Sequence, residues 1–545
     1  MSHHPHPHKS TRTARLTGVL LLIMLLLIIT FLGVFIFQKL FYREEIAKLL
    51  PADRTLVFAE IDFDQSSPEL QRFFQLTATN PYLNQPAFQK LLDTLPPQSD
   101  QFQKWFGGRI GIALITEPHS YPAPVLFLKF RDYQQMSDWR VSSLLATGKS
   151  DNSVIIGNYL VIAEHKDALN IILQSSQNQS LSLANLPAYN QLYSALPQQN
   201  LAYIYYDSAQ VLASLSENPD FLDSHLTMFQ QFLPFLKIFS REAIAIYTSQ
   251  DSAGKITLNA QQLSLFNTSI LPTPDFFNIN YFYSGALEQL LPSQTIASFG
   301  GADLADQKDK LETLFANQST VQSLLFSGSL EKFRQYVFSP SSQKIDLDKD
   351  FFGILKGNYL FSVQSQTPGK FDFSLAIEDQ RAKNDIQKIQ KLLLALAQNL
   401  AAQTPSKTVD ITLPDGTKGR EVIGTSLSPQ AITETISGAS VQSIAISDSW
   451  KIYFVATDNN IFVSTNTKSI SDMLAKADKL SADNSYTPLI SNLDHPTEYY
   501  KFDIASAVKA LNMPQFEPYL IPLHQLKIGR KFTQIGVLSS YIFEQ

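Results

Sequence analysis

The chain has 545 residues, of which 44% are hydrophobic, 17% charged and 11% aromatic. That length exceeds the ~250 to 300 residues at which one hydrophobic core stops growing, and the composition excludes a disordered or fibrous protein. Residues 1–50 hold six of the 43 basic and two of the 49 acidic residues, leaving 37 and 47, a net charge of −10 that argues against a nucleic-acid or anionic-lipid binder.

At the N-terminus the stretch from His3 to His8 offers imidazoles for Zn or Ni, but its prolines prevent a preorganised helical pair, and residues 1–15 are read as a polar cytoplasmic tail. From Leu16 to Phe37 no residue is charged. Twenty-two helical positions rise about 33 Å, enough for a ~30 Å hydrocarbon layer. The apolar run exceeds that of a cleaved signal peptide, so residues 16–37 are read as a transmembrane anchor and 38–49 as a juxtamembrane helix. Lys9, Arg12 and Arg15 before the span place the N-terminus in the cytoplasm and the bulk of the chain outside. The alternative is a large cytoplasmic domain tethered in reverse.

Beyond the anchor the chain repeats itself. Thr55 to Phe63 matches Thr295 to Leu304, each after Leu-Leu-Pro. Trp105 to Ile115 matches Phe351 to Val363, and the strand from Val125 matches that from Phe371. Leu160 onward matches Ile461 onward, with Leu169, Ile172 and Leu173 reappearing as Ile470, Met473 and Leu474 on one helix face. Leu201 onward matches Thr497 onward. Five matches in one order imply an internal duplication. The expected fold class is α+β: two tandem domains of mostly antiparallel sheet with packed helices, residues 50–265 and 285–545.

Residues 266–284 form a linker rich in Phe and Ile, suited to a strap. The second repeat carries an insertion at about 398–443, in which Asp415-Gly416 turns a hairpin. Before it, Ile386, Ile389, Leu393, Leu396 and Leu400 stripe a core-facing helix; a coiled-coil seam is the rival reading.

Leu50, Pro51, Ala52, Asp53 and Thr55, followed by Trp105, Gly107 and Gly108, resemble the doubled Pro-Ala-Asp-Thr-like and Trp-x-Gly-Gly repeat of a bacterial domain-of-unknown-function family. The resemblance implies a membrane-anchored extracytoplasmic protein and brings no activity. In the second half PSQT and FFGILKG replace those motifs.

No catalytic, cofactor-binding or metal residue is assigned. Asp132, Asp207, Asp379 and Asp503 sit at strand-to-helix junctions and read as helix caps before they read as acid–base pairs. Phe106 to Arg109 reads as a sharp turn before it reads as an anion-binding nest. Asp346, Asp348 and Asp350 begin like a calcium loop, but Phe351 and Gly357 stand where it needs Gly and Glu. Ser329 to Lys332 and Ser341 to Lys344 fit S-x-x-K without its companion motifs. Gly148-Lys149-Ser150 lacks the first phosphate-loop glycine, and His119, His165, His225, His495 and His524 are scattered. Absent cysteine excludes disulfides, thiolate catalysis and Cys-ligated metal.

The expectation is therefore a membrane-anchored extracytoplasmic binding or scaffolding protein, contacting the bilayer through residues 16–37 and an envelope protein or glycan elsewhere. The alternatives are an envelope hydrolase with a carboxylate site formed only on folding, and an assembly or chaperone-like subunit.

Overall fold

The computed structural model describes residues 46–544 apart from 79–83, 87–101, 103, 118–121, 145–151, 218–236, 272, 274–275, 277–278, 280, 293, 316–344, 404–406, 415, 424–428, 448–449, 481–492, 494–495 and 514–523. The tail and the anchor, residues 1–37, lie outside the described residues, as do both S-x-x-K matches, Gly148 to Ser150, His119, His225 and His495. Among the described residues no helix is long and apolar enough to cross a membrane.

The first half contributes β1 (Thr55–Asp62), β2 (Phe106–Ile115), β3 (Ala123–Phe130), β4 (Ser153–Ile156), β5 (Tyr159–Ala163), β6 (Ala202–Tyr206), β7 (Phe239–Gln250) and β8 (Ile256–Phe266). They lie in the order 4-5-3-2-1-6-7-8, every neighbour antiparallel. The second half contributes β9 (Thr295–Ala302), β10 (Asn358–Thr367), β11 (Lys370–Glu378), β12 (Lys407–Thr412), β13 (Lys418–Ile423), β14 (Ala431–Ile436), β15 (Ala439–Ser447), β16 (Trp450–Ala456), β17 (Asn460–Ser464), β18 (Glu498–Asp503), β19 (Gln525–Phe532) and β20 (Gly536–Glu544). Its order 16-17-11-10-9-18-19-20 is that of the first half, with β15 and β14 added beyond β16.

The register agrees as closely as the order. Aligning Thr55 with Thr295 and Leu201 with Thr497 equates Ala59 with Phe299 and Ile204 with Tyr500. Ala59 stands opposite Ile204, and Phe299 opposite Tyr500. Both halves then meet through β8 and β20, where Gln261 faces Ser540, flanked by Ala260 with Tyr541 and Gln262 with Ser539. Exchanging the halves turns the second of these pairs into the third, so a pseudo-two-fold axis passes through Gln261 and Ser540. This is the self-complementary geometry of a symmetric dimer, formed within one chain. It removes two edges that would otherwise expose unpaired N–H and C=O groups, and it makes the halves one 18-stranded sheet rather than two separate ones.

Helices cover both faces. We number them α1 (Pro68–Leu76), α2 (Tyr133–Trp139), α3 (Lys166–Gln177), α4 (Pro187–Ala195), α5 (Ser208–Glu217), α6 (Leu304–Phe315), α7 (Ala382–Gln403), α8 (Thr467–Leu480) and α9 (Ile504–Ala510). On one face α3 buries Leu169 and Ile172 against Phe58, Val125 and Phe127, while α8 buries Ile470 and Met473 against Leu360 and Phe462. Each such aliphatic side chain contributes roughly 1.5–3 kcal/mol of burial. On the opposite face α2 packs Met136 and Trp139 on Trp105, Ile110 and Leu128, and α7 packs Ile389 near Tyr359, Ile377 and Phe454. The α7 stripe from Ile386 to Leu396 thus faces core.

Three expectations shift in detail. Ile46 to Leu49 form a turn, not the end of a helix, with Ile46 and Leu50 fully buried. The third repeat pair slides by three residues: Leu126 faces Ile112 and Ile162, Leu375 faces Phe361 and Val463, so Val125 corresponds to Ser374 rather than Phe371. The same pairing equates Gly108 with Gly357 and Trp105 with Ile354, not with the phenylalanines of FFGILKG. The hairpin at Gly416 (φ 81°) forms as β12 and β13 in a small sheet of their own.

The linker packs as a strap. Ile270, Leu271 and Phe276 join Ile238, Phe266 and Val537, and Tyr283 donates its backbone N–H to Pro496 at 2.8 Å. On β18, Glu498 is 9% exposed, accepts the Tyr500 hydroxyl at 2.9 Å and lies 3.8 Å from Arg530. Burial pushes its carboxyl above the ordinary range, outweighing Arg530 and Tyr500. A raised folded-state value favours the protonated form, so its contribution is full at low pH and is lost as pH rises through that value. Glu498→Gln is therefore expected to melt higher than wild type at pH 7, with the difference closing towards pH 4; a variant less stable at pH 7 would contradict this.

Candidate functional site

Alternation along β1 puts Glu60 and Asp62 on the face that carries Phe58. Glu60 stands opposite Gly111 and Tyr203, and Asp62 opposite Arg109. Arg109 is placed by the glycines before it: the β2–β3 register jumps between Phe106 and Ile110, and Gly108 has φ 79°. A Cβ on Gly108 would sit 2.9 Å from the Asp64 backbone, and Phe63 donates its N–H to the Gly108 carbonyl at 2.7 Å. Trp105, fully buried, anchors the bulge with ring centroids 4.9 Å from both Phe102 and Trp139. The Trp-x-Gly-Gly stretch is thus a structural bulge that aims Arg109.

Arg109 Nε lies 3.0 Å from Glu60 Oε1, both side chains about 13–14% exposed. Burial works against the guanidinium charge, but Glu60, with Tyr159 and Asp62 behind it, outweighs that and holds Arg109 above its ordinary value. Asp62 accepts the Asp64 N–H at 2.9 Å. Tyr203 is 4% exposed, its hydroxyl has no hydrogen-bond partner among the described residues, and its ring meets Tyr193 edge-on at 5.5 Å. Burial, joined by Tyr193, Tyr205 and Glu60, pushes this phenol far up, so it keeps its proton. With Asn200 these side chains line a small recess of about 10 Å³, room for roughly one water molecule, partly open to solvent.

The second half has no such charge. Its counterparts of Glu60, Asp62, Arg109 and Tyr203 are Gly300, Ala302, Asn358 and Tyr499. Tyr283 from the strap occupies the space: a Cβ on Gly300 would fall 2.6 Å from the Tyr283 ring, which stacks on Tyr499 at 6.2 Å.

The four junction aspartates act in helix starts. Asp132, Asp207 and Asp503 accept the N–H of Gln135, Gln210 and Ser506 at 2.8–3.0 Å, and Asp379 accepts that of Arg381 at 2.8 Å. Asp346 caps a single turn, while Asp348 and Asp350 pair with Lys308 and Lys391, each at 2.8 Å. Among the described residues no group of three metal-ligating side chains converges. On the helix-poor part of the other face, Phe361 and Phe373 stack at 6.0 Å with 38% and 39% exposure, and Phe502 lies nearby at 38%.

Of the recess residues only Arg109 stands out in the sequence, and there as an anion ligand, whereas its charge is spent on Glu60. Glu60, Asp62 and Tyr203 look like an ordinary strand; the signal that finds them is their difference from Gly300, Ala302 and Tyr499 once the copies are aligned.

An antiparallel α+β protein with a charged recess on a doubled sheet is the class these observations define. The chain belongs to a family of proteins of unknown function, DUF3352, which matches residues 126–540. The motifs on which the resemblance was read, Leu50 to Thr55 and Trp105 to Gly108, precede the matched segment. No curated protein and no solved structure matches the chain.

Proposed function

We propose that the protein is a membrane-anchored, extracytoplasmic binding protein of the bacterial envelope, tethered by residues 16–37 and descended from one duplicated unit comprising 50–265 and 285–545. One observation supports the binding reading: the recess carries Glu60, Asp62 and Arg109 in the first half, whereas its counterpart is uncharged and filled by Tyr283. The uncharged run from Leu16 to Phe37 supports the tether. Against the hydrolase alternative, Glu60 is paired with Arg109, and Asp379, which burial beside Asp385 holds above the ordinary carboxylate range, accepts the Arg381 N–H at a helix start as the other junction aspartates do at theirs. The stacked pair Phe361 and Phe373 favours, as a second reading, a docking role in envelope assembly.

The chain has no cysteine, so a single introduced thiol reports placement without background. Ser252→Cys, in an exposed turn, is expected to react with a membrane-impermeant maleimide while the cytoplasmic membrane is intact. Labelling only after that membrane is opened would refute the placement.

A further inference from the structure

We infer that the outer edge of β14 pairs antiparallel with the same edge of a second copy of this chain, about a two-fold axis at Glu434; this goes beyond the binding reading and does not depend on it. The edge itself is the first ground. On its inner side β14 pairs with β15 in an unbroken register from Ala431 with Ile444 to Ile436 with Ala439, closed by Ser437 and Gly438 at φ 51° and 81°, the two-residue turn of a tight hairpin. Among the described residues no other strand pairs with β14 and no loop backbone bonds to it. Proteins blunt such an edge with proline, lysine, a bulge, a covering element or short length, because its unpaired N–H and C=O groups template further pairing. The six residues of β14 include neither proline nor lysine, and Ile432, Thr433 and Thr435 are exposed, Ile432 by 56%. The first half ends on the corresponding side with β4, only four residues long.

The sequence of the edge is the second ground, and it names the occupant. From Ile432 to Ile436 it reads Ile-Thr-Glu-Thr-Ile, the same in both directions. Antiparallel pairing centred on Glu434 therefore sets like against like: Ile432 of one copy beside Ile436 of the other, and Thr433 beside Thr435. Thr–Thr pairs add cross-strand hydrogen bonds, and isoleucine suits a pleated surface. Alternation puts Ile432, Glu434 and Ile436 on one face, where Ile436 packs towards Ile470 and Met473 of α8, so the pairing covers the exposed Ile432 on a face that already carries a helix. Glu434 comes opposite itself. Its Oε1 accepts the Ser443 hydroxyl at 2.7 Å and lies 3.3 Å from Lys451 Nζ, contacts that hold the carboxyl below its ordinary range. Each copy thus brings a lysine with its carboxylate, and the axis gathers two of each.

The chain's own seam is the third ground. β8 and β20 close two edges antiparallel about Gln261 and Ser540 over eight positions. The palindrome offers the same self-complementary operation between molecules, over the five positions from Ile432 to Ile436. So short a seam buries less than the ~1,200 Å² of a standard interface, so the dimer is expected to be weak and reversible, and the test traps it covalently.

The full, cysteine-free chain is prepared in detergent solution as Thr433→Cys and, separately, as Thr435→Cys. Across the axis these two positions face each other at ~4.5–5.5 Å between Cα atoms, whereas each lies ~7–8 Å from its own copy, beyond the ~6.8 Å that a disulfide spans. Under mild oxidation the mixture is expected to form a disulfide-linked dimer roughly fivefold or more faster than either preparation alone. Adding Ile432→Lys to both, at an exposed side chain, is expected to slow the mixture roughly fivefold or more with the melting temperature unchanged. Equal rates in the mixture and in the separate preparations would overturn the inference, and this is the pattern that a dimer held only through residues 16–37 would give. A rate that Ile432→Lys leaves unchanged would overturn it too, as would a chain that stays monomeric in every preparation.

Discussion

Trp105→Ala is expected to lower the unfolding free energy by about 3–5 kcal/mol, the range for deleting a fully buried large aromatic. Trp105 touches Phe102, Trp139, Met136 and Leu128 within one cluster, and its indole N–H has no partner among the described residues, so its contribution is packing. Among the described residues the β2 bulge beside it is pinned by the Gly108 contact with Asp64, which resists collapse into the space. Denaturant unfolding measures the loss. A loss below about 1 kcal/mol, the scale of surface substitutions, would contradict the assigned packing.

Arg241→Leu is the second large effect. Asp207 is fully buried at the start of α5, where it accepts two hydrogen bonds from Gln210, and Arg241 Nε approaches it to 2.8 Å. That N–H does not point along the line to the carboxylate, so the contact is ionic rather than a straight hydrogen bond. Removing one partner of a fully buried pair costs about 3–5 kcal/mol; with Arg241 29% exposed, we expect roughly 2–3 kcal/mol. Asp207→Asn keeps the cap and removes the charge, so adding it to Arg241→Leu should recover part of the loss. A coupling of about 1 kcal/mol or more is expected, and additivity within ~0.5 kcal/mol would refute the ion pair. The second half offers a natural control, because Asp503 caps α9 from a less buried position with Gln525 where the first half has Arg241.

Much of this architecture is legible in the residues. The pairs built on Thr55 and Thr295, Leu160 and Ile461, and Leu201 and Thr497 gave the observed registers because each joins an invariant-looking strand to a helix of fixed phase. The β3 and β11 pair slipped because FDFSLAIE alternates along its length, so hydrophobic period alone does not fix its offset. Trp105 was matched to a phenylalanine because both are aromatic, whereas the backbone matches it to Ile354, another buried apolar side chain under the corresponding helix. A further repeat, Phe41-Tyr42 and Phe282-Tyr283 ahead of Leu-Leu-Pro, carries no strand or helix period and so escapes a search built on periodicity. The union of β8 with β20 was invisible for a different reason: pairing between strands some 280 positions apart leaves no local pattern, only two sequences that each look like a strand.

Every comparison between the charged recess and its filled counterpart depends on the halves being copies zipped edge to edge about Gln261 and Ser540. In the cysteine-free chain, Gln261→Cys with Ser540→Cys tests this directly. Directly opposed antiparallel residues have Cα atoms ~4.5–5.5 Å apart, inside the ~4.4–6.8 Å that a disulfide spans. Mild oxidation should close one intramolecular disulfide in nearly all of the protein, seen as the loss of both thiols in a protein that stays monomeric and lighter by two hydrogens. Thiols that stay free, or that link only between molecules, would contradict the continuous sheet and the equivalences drawn from it.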